Sequence, residues 1–265
     1  MSSIQEKLAS LEKLLKIMDE LREKCPWDRE QTFESLRNLT IEETYELADA
    51  ILMNDPENIK KELGDILLHI VFYAKIGSET GAFDIRDVAE SIVEKLIFRH
   101  PHVFGDTDVK NNPELVKKNW EELKIREGNI SVLGGVPSSL PAMIKASRIQ
   151  EKARAVGFDW DERSQVWDKV KEELGELSHE IEAMDREKTE AEFGDLLFSM
   201  INAARLYQID PETALEKTNI KFIRRFNYLE SKTLKQGRKL SSMTLDEMNA
   251  IWEDAKKLEN SPITK

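Results

Sequence analysis

Apolar residues recur at helical spacing along most of the chain. Two neighbouring segments show the pattern most clearly, and their apolar positions are Ile41, Tyr45, Leu47, Ala48 and Ile51, then Leu63, Ile66, Leu67, Ile70 and Val71. Positions three or four apart share one face of a helix, so each segment predicts an amphipathic helix. Sustained alternation with a period of two, which is typical of strands, does not occur. The pattern therefore predicts an all-α fold.

The two predicted helices are expected to form a hairpin. The turn signal Asn54-Asp55-Pro56 separates them, and position 54 is midway between Glu46 and Glu62, which are 16 positions apart. Each arm is then about eight residues, or roughly 12 Å long. A chain that reverses at this turn brings Glu62 back to the level of Glu46.

The acidic positions of this hairpin occur twice with the same spacing. The first set is Glu42, Glu43, Glu46, Glu62 and Asp65, and the second set is Glu172, Glu173, Glu176, Glu192 and Asp195. The repetition indicates two related halves, and a duplicated bundle of helical hairpins is the simplest architecture. A segment rich in glycine, proline and serine separates the halves. We therefore expect an N-terminal domain at 1–127, a linker at 128–141 and a C-terminal domain at 142–265.

The acidic sets predict a site for a hard divalent cation. Carboxylates without histidine or cysteine are typical ligands for Mg²⁺, with Mn²⁺ as a substitute. The expected ligands in the second half are Glu173, Glu176, Glu192 and Asp195. A pair of solvated acidic helix faces is the alternative, but the unchanged spacing in both halves favours a metal site.

Basic residues and a tryptophan follow the acidic hairpin in each half. Lys221 and Arg225 are four positions apart on one predicted helix face, and Trp252 comes later; the corresponding residues of the first half are Lys95, Arg99 and Trp120. Lysine and arginine at this spacing are suited to phosphate oxygens. Trp252 is either a stacking surface for a nucleobase or a buried core residue, and the sequence leaves both open.

The two halves differ in the cations beside their acids. Lys169 precedes Glu173 by one helical turn, and Lys188 precedes Glu192 by one turn. The first half has Leu39 and Asn58 at these places. We therefore expect Lys169 and Lys188 to contact the substrate, and the second half to be the main catalytic unit.

Composition excludes several classes of protein. The 265 residues suit two domains, and a net charge of −12 argues against binding to nucleic acid or to an acidic membrane. The single cysteine, Cys25, excludes an intramolecular disulfide. No apolar run approaches the ~20 residues of a membrane span. The charged N-terminal segment lacks the features of a signal peptide, so we expect a cytoplasmic protein.

Several longer strings show a resemblance to a known family. They are Cys25-Pro26-Trp27-Asp28, the run from Arg99 to Phe104, Val156-Gly157-Phe158-Asp159-Trp160 and the paired acidic motifs. With these strings the chain resembles the MazG-type nucleoside triphosphate pyrophosphohydrolases, in their tandem two-domain form. The resemblance implies two all-α four-helix modules and the reaction NTP + H₂O → NMP + pyrophosphate, with water attacking the α-phosphorus.

The resemblance also implies magnesium dependence and a homodimer. Glu172 is a candidate to orient or deprotonate the water, although any carboxylate of the set that is not saturated by metal can serve. Apolar residues of the second hairpin, among them Leu197, Phe198 and Met200, suit a dimer interface. Residues 1–24 are either an additional dimer helix or a helix that packs on its own domain.

Other functions were weighed against this one. A di-iron bundle requires Glu-x-x-His pairs, whereas these motifs read Glu-x-x-Glu and Glu-x-x-Asp. A motor ATPase or kinase is disfavoured because no glycine-rich phosphate loop of the Walker type occurs. A non-catalytic nucleotide-sensing module stays open. Trp252 is the single base contact that the sequence suggests, so we expect weak selectivity among bases and a house-cleaning role.

Overall fold

The computed structural model describes residues 2–109, 112, 115–116, 119–120, 123, 131–160, 162–235 and 237–260. The chain divides into two compact units, Met1–Lys124 and Ile125–Lys265. Every regular element within the described residues is a helix, which confirms the predicted all-α fold. None of the described helices is long and apolar enough to cross a membrane.

Six helices of the first unit are described from end to end. They are α1 (Ile4–Lys24), α2 (Pro26–Glu30), α3 (Phe33–Leu52), α4 (Pro56–Glu79), α5 (Ile85–Arg99) and α6 (Pro101–Phe104). Helices α3 and α4 pack as the predicted hairpin. Asn54 supplies a left-handed residue with φ of 54° at its turn, and the Asp55 side chain caps α4, which has Pro56 in its first turn.

The core of the first unit joins three of its helices. Met18 of α1 is 1% exposed and packs with Leu36, Val71, Phe72 and Ile76. Helix α1 thus packs on its own domain through its C-terminal half, which is one of the two alternatives for residues 1–24. An ion pair near the end of α1 reinforces this contact, since Arg22 Nε donates to Glu79 Oε1 at 2.9 Å.

The second unit repeats the hairpin and adds flanking helices. Its helices are α7 (Ala142–Ala155), α8 (Arg163–Ala183), α9 (Arg186–Leu206), α10 (Pro211–Lys235) and α11 (Leu245–Asn260), with a short 3-10 turn at Leu240–Ser242. Helices α8 and α9 form the hairpin, α7 packs against α9 and α10, and α10 packs against α11. Met184, with φ of 57°, occupies the turn at the predicted place.

The segment predicted as a linker is partly packed on the second unit. Residues 128–130 lie outside the described residues, whereas 131–141 are described and belong to the second unit. Lys152 Nζ donates to the carbonyl of Val132 at 3.2 Å, and Lys145 Nζ donates to that of Ser138 at 2.6 Å. These bonds hold the segment against α7, so this part of the predicted linker is structured.

Candidate active site

The second hairpin brings acidic residues of two helices together. Carboxylate oxygens of Glu173 and Glu176 on α8 and of Glu192 on α9 lie within 4.8 Å of one another. Glu173 is 6% exposed, Glu192 is half-buried and Glu176 faces solvent. The cluster is thus reached from one side, with a buried carboxylate at its base. We call these three residues the second acidic trio.

The first hairpin makes a related but different cluster. Its trio is Glu43 of α3 with Glu62 and Asp65 of α4, again within 4.8 Å. Of the four predicted ligands in each half, three come together: Asp195 is outside the second trio, and Glu46 is outside the first. The outer glutamates of the two motifs, Glu42 and Glu172, are both exposed.

Each trio concentrates negative charge where water is partly excluded. In the second unit, desolvation and then the charges of Glu192 and Glu173 raise the pKa of Glu176. In the first unit, burial and then the charges of Asp65, Glu46 and Glu62 raise the pKa of Glu43. Glu62 Oε2 is also buried without a hydrogen-bond partner among the described residues. A cation bound among these carboxylates would pair with the buried oxygen and would offset the repulsion between their negative charges.

One predicted lysine touches the second trio and the other does not. Lys169 Nζ lies 2.8 Å from Glu173 Oε1 and 2.7 Å from Glu172 Oε1, and these bonds raise the pKa of Lys169. Lys188 instead lies at the hairpin turn, 3.6 Å from Asp185 Oδ2 and 3.8 Å from Glu180 Oε2. It makes no described ion pair with the trio.

The first half also has a lysine beside its acids, which the comparison of Lys169 and Lys188 with Leu39 and Asn58 missed. In the first unit Lys61 Nζ lies 2.9 Å from Glu62 Oε1 and 4.0 Å from Asp65 Oδ2. The spacing of four between Lys61 and Asp65 was available in the sequence as a signal. The corresponding position of the second half is Ala191, so each unit has one lysine at its trio, placed on opposite arms of the hairpin.

The predicted basic helix of the second unit is engaged elsewhere. Arg225 Nη2 lies 2.6 Å from Glu259 Oε2, and its guanidinium lies 5.9 Å from the Trp252 ring centre. The Trp252 ring also packs 5.0 Å from that of Phe222, and Lys221 is exposed. Helices α10 and α11 bring these residues together with one another, but none of them lines the cavity beside the trio.

The corresponding residues of the first unit are likewise outside its trio. Lys95 is exposed on α5 and Arg99 ends that helix, while Trp120 lies 5.0 Å from the His100 ring. The predicted order of acidic hairpin, basic helix and tryptophan is therefore present in both units, although neither described trio includes a residue of the basic helix.

A cavity of about 580 Å³ adjoins the second trio. Lys169, Glu173 and Asp195 line its acidic end, and Phe158, Trp160 and Phe198 contribute aromatic surface. This volume is within the usual range for a small-molecule site. The acidic residues and an apolar recess thus share one open space.

Polar groups of this cavity were missed by the sequence reasoning. Gln150, Ser199, Asn202 and Arg205 also line it. Asn202 follows Asp195 by seven residues, which places both on one face of α9 and was a usable signal. Gln150 comes from α7, and no spacing in the sequence connects that helix with the acidic hairpin.

Comparison with known proteins agrees with this arrangement. The family model described as the MazG nucleotide pyrophosphohydrolase domain matches residues 31–104 and 162–229, one segment in each unit. A Thermotoga maritima protein named nucleoside triphosphate pyrophosphohydrolase/pyrophosphatase MazG is 46% identical over 250 residues, covering 92% of this chain and 95% of the relative.

Two further relatives extend the comparison. The nucleoside triphosphate pyrophosphohydrolase of Escherichia coli K12 is 41% identical over 258 residues, covering 94% of this chain and 98% of the relative. The uncharacterized protein YabN of Bacillus subtilis is 46% identical over 239 residues, which are 89% of this chain and 49% of the relative. On the matched segments and these relatives, the chain belongs to the MazG nucleotide pyrophosphohydrolase family, in its tandem two-domain form.

Proposed function

We propose that the chain hydrolyses nucleoside triphosphates to nucleoside monophosphates and pyrophosphate, in a magnesium-dependent reaction centred on its second unit. The observation that carries this proposal is the continuity of the second acidic trio with a nucleotide-sized cavity. Family membership supports the reaction type, and the names of the Thermotoga and Escherichia relatives refer to the same activity.

The second trio fits a magnesium ion. Three carboxylates from two helices surround one point, and the raised pKa of Glu176 reflects charge that a cation would neutralise. Glu173, Glu176 and Glu192 would hold the ion, with Asp195 beside them at the cavity wall. When bound there, Mg²⁺ supplies positive charge for the phosphate oxygens, and Mn²⁺ is a reasonable substitute.

Lys169 is suited to hold a phosphate group at the cavity. Its ammonium keeps its proton because Glu172 and Glu173 both accept hydrogen bonds from it. It lines the cavity next to Asp195, so an anionic group that enters meets a fixed positive charge. This charge would help position the triphosphate for attack at the α-phosphorus.

Glu172 is suited to accept a proton from the attacking water. Lys169 bonds to Oε1 of this exposed carboxylate, and no described residue bonds to Oε2. Oε2 is therefore available to a water molecule beside the trio.

We also propose that Lys221 and Arg225 contact the phosphates. Arg225 would have to release Glu259 before it could bind a phosphate group.

Exposed apolar surface supports a homodimer. On α9, Leu197 is 57% exposed and Met200 is 44% exposed, although both belong to the apolar face of the hairpin. A second copy of the chain would cover this surface. Light scattering of the purified protein tests the stoichiometry, and a monomer at every concentration would contradict the dimer.

We further propose a house-cleaning role. A dimeric, cytoplasmic enzyme that accepts many different bases would suit removal of unwanted triphosphates.

A panel of ribo- and deoxynucleoside triphosphates tests the function. Purified protein is incubated with each nucleotide and Mg²⁺ or Mn²⁺, and products are identified by chromatography. We expect monophosphate and pyrophosphate, with no turnover after exhaustive chelation. Binding without hydrolysis would indicate the nucleotide-sensing alternative, release of orthophosphate and diphosphate would contradict the reaction, and an absorption band of bridged iron would indicate a di-iron protein.

A further inference from the structure

We propose that the loop of residues 156–160 closes over a triphosphate bound in the cavity of the second unit, and that Asp159 is the positioning residue that holds this loop to the hairpin through Arg205. We call the segment the aromatic loop. The inference rests on the proposed function and adds to it the part of the protein that encloses the substrate. The loop residues that line the cavity are Gly157, Phe158, Asp159 and Trp160.

The aromatic loop is fastened to the end of α9 by a bidentate ion pair. Arg205 Nη1 donates to Asp159 Oδ2 at 3.0 Å, and Arg205 Nη2 donates to Oδ1 of the same carboxylate. Arg205 Nε donates to Asn202 Oδ1 at 2.9 Å, so each nitrogen of the guanidinium has an acceptor. The side chains of Arg205 and Asp159 are 15% and 25% exposed. A bidentate pair that is largely shielded from water fixes the distance and the orientation of its partners.

The start of the aromatic loop is fastened to the end of α7. The Gly157 N–H donates to the carbonyl of Arg154 at 2.9 Å, and the Phe158 N–H donates to that of Ala153 at 3.0 Å. Gly157 has a φ of +89°, and a Cβ at this position would meet nothing within 4 Å. Glycine adopts this left-handed angle without strain. The chain therefore leaves α7 in a sharp turn and reaches the ion pair of Asp159 two residues later.

Phe158 lies between these two attachments and is the mobile part of the proposed closure. It is 83% exposed, although it lines the cavity. Burial of an aromatic ring is favourable, and a ring turned over the opening would be covered by the bound molecule and the cavity wall. Closure of this kind excludes water from the phosphates and strengthens their contact with a charged group such as Lys169.

The first unit fastens its corresponding segment in a different way. Pro26-Trp27-Asp28 follows α1 as Gly157-Phe158-Asp159 follows α7. Arg22 of α1 holds the first of these segments by donating from Nη1 to the backbone carbonyl of Asp28. Among the described residues, the side-chain ion pair from this segment to the acidic hairpin is thus a feature of the second unit.

Substitution of the ion pair tests the positioning role in the full-length protein. Asp159→Asn should raise KM for ATP about tenfold, the effect of losing a hydrogen bond between charged groups. The change in kcat should be smaller, because the pair lies outside the trio. Arg205→Gln should have the same effect, and the double variant should be no worse than either single variant, since both changes break one interaction. Asp159→Glu keeps the charge and should recover part of the loss.

The first unit supplies matched controls for these variants. Asp28→Asn should leave KM unchanged, because the backbone carbonyl of Asp28 makes the described contact with Arg22. Phe158→Ala should raise KM about tenfold through the loss of a ring that becomes buried. Trp27→Ala, at the corresponding aromatic position, should leave KM unchanged. Melting curves and the stabilisation by Mn²⁺ establish that each variant is folded with its metal cluster intact.

A direct phosphate contact by Arg205 gives the opposite result. If Asp159 only competed with phosphate for this guanidinium, Asp159→Asn would release Arg205 and KM would fall or stay the same. Either outcome overturns the positioning role, as does a double variant whose rise in KM is the product of the two single effects.

Hydrogen–deuterium exchange tests closure itself. The probe is α,β-methylene-ATP with Mg²⁺, in which a carbon replaces the oxygen between the α- and β-phosphorus, so that the bond broken in the reaction is absent. We expect amides of residues 156–160 to exchange about tenfold more slowly with the analogue bound. This protection should be lost in Asp159→Asn at a saturating concentration of the analogue. Equal exchange with and without the analogue in the wild type overturns closure.

Failure of the proposed function is a separate outcome. The exchange experiment requires binding and no turnover, so it still tests the aromatic loop if the wild type cleaves no triphosphate. Protection that depends on Asp159 then supports the inference without the reaction. An unprotected loop, or an analogue that does not bind, overturns it whichever products the nucleotide panel gives.

Discussion

Lys169 and Glu173 form an ion pair of 2.8 Å at the edge of the cavity, one turn apart on α8. Lys169 is the predicted phosphate contact, and Glu173 is the buried carboxylate of the predicted metal cluster. The lysine charge opposes cation binding by the trio, while it favours binding of an anionic substrate. Its two effects can therefore be measured separately.

Replacement of Lys169 by methionine should reduce activity without weakening metal binding. We expect kcat/KM to fall about 10²-fold, as for loss of one preorganised charged group. The affinity for Mn²⁺, measured by calorimetry, should stay the same or increase. Lys171→Met is the matched control, because Lys171 lies on the same helix but pairs with the exposed Asp168 at 3.0 Å. A Lys169 variant with wild-type turnover would remove this residue from the site.

The second unit should account for most turnover, because its trio adjoins the cavity. Glu176→Gln and Asp195→Ala should lower kcat by about 10²–10³-fold. Glu46→Gln and Asp65→Ala, at the corresponding positions of the first unit, should retain most of the activity. Steady-state rates with ATP and Mg²⁺ provide the measurement, and equal losses from both sets would show that both units catalyse.

Removal of one charge from the first trio should stabilise the metal-free protein. Burial and neighbouring carboxylates raise the pKa of Glu43 above 4.5, so its protonated form is favoured in the folded state. Its contribution to stability is therefore present below the unfolded pKa and is lost as pH rises through the folded pKa. In chelator, the Tm of Glu43→Gln should exceed that of the wild type, with a gap that widens from pH 4 to pH 7.

The neighbouring Glu42→Gln is the control for this experiment, since Glu42 is exposed and outside the trio. It should leave Tm nearly unchanged. Addition of Mn²⁺ should stabilise the wild type more than Glu43→Gln. A Glu43 variant that is less stable than wild type in chelator would show that the acids do not repel one another.

The Arg22–Glu79 ion pair should contribute to stability at neutral pH. The hydrogen bond from Arg22, followed by its charge, lowers the pKa of Glu79 below 4.5. The contribution is therefore present above the unfolded pKa and lost as pH falls through the folded pKa. With the Glu79 side chain 37% exposed, we expect Glu79→Gln to cost about 1 kcal/mol at pH 7 after solvent screening.

Urea unfolding at pH 7 and pH 3 measures this difference, which should shrink at the lower pH. Glu57→Gln is the control, because Glu57 pairs with Lys60 at the surface with its side chain 83% exposed. A pH-independent loss for Glu79→Gln would assign its effect to packing rather than to charge.

Substitution of Trp160 and of Trp252 should distinguish a residue that stacks on the base from one that packs between helices. Trp160 lines the cavity, whereas Trp252 packs on Phe222. We expect Trp160→Leu to raise KM by about tenfold across the common triphosphates, since stacking is worth about 1–3 kcal/mol per base. The natural bases themselves should differ by no more than about two decades in kcat/KM, or roughly 3 kcal/mol.

Trp252→Leu should lower Tm and leave the ranking of bases unchanged. The sequence alone leaves Trp252 between a base contact and a core residue. A large rise in KM for Trp252→Leu, with no change for Trp160→Leu, would show that Trp252 contacts the base and Trp160 does not.

The hairpins and trios follow from local rules, which is why the sequence reveals them. Helical periodicity places Glu173 beside Glu176, and the turn midway along the motif brings Glu192 back to them. The cavity depends on another kind of information. Gln150 lines the same cavity as Asn202 only because α7 packs on α9, a contact that no spacing along the chain specifies. The partner of a side chain is also not given by spacing, since Arg225 pairs with Glu259 from a later helix.

Asn54 and Met184 occupy equivalent turn positions and share left-handed backbone angles, with φ of 54° and 57°. Asparagine tolerates this conformation, whereas methionine pays a steric penalty and is 91% exposed, so it gains little from packing. The two turns thus have the same backbone shape, although only asparagine favours it. The paired helices impose this shape, so the packing of the acidic arms determines the turn more than the residue at its centre does.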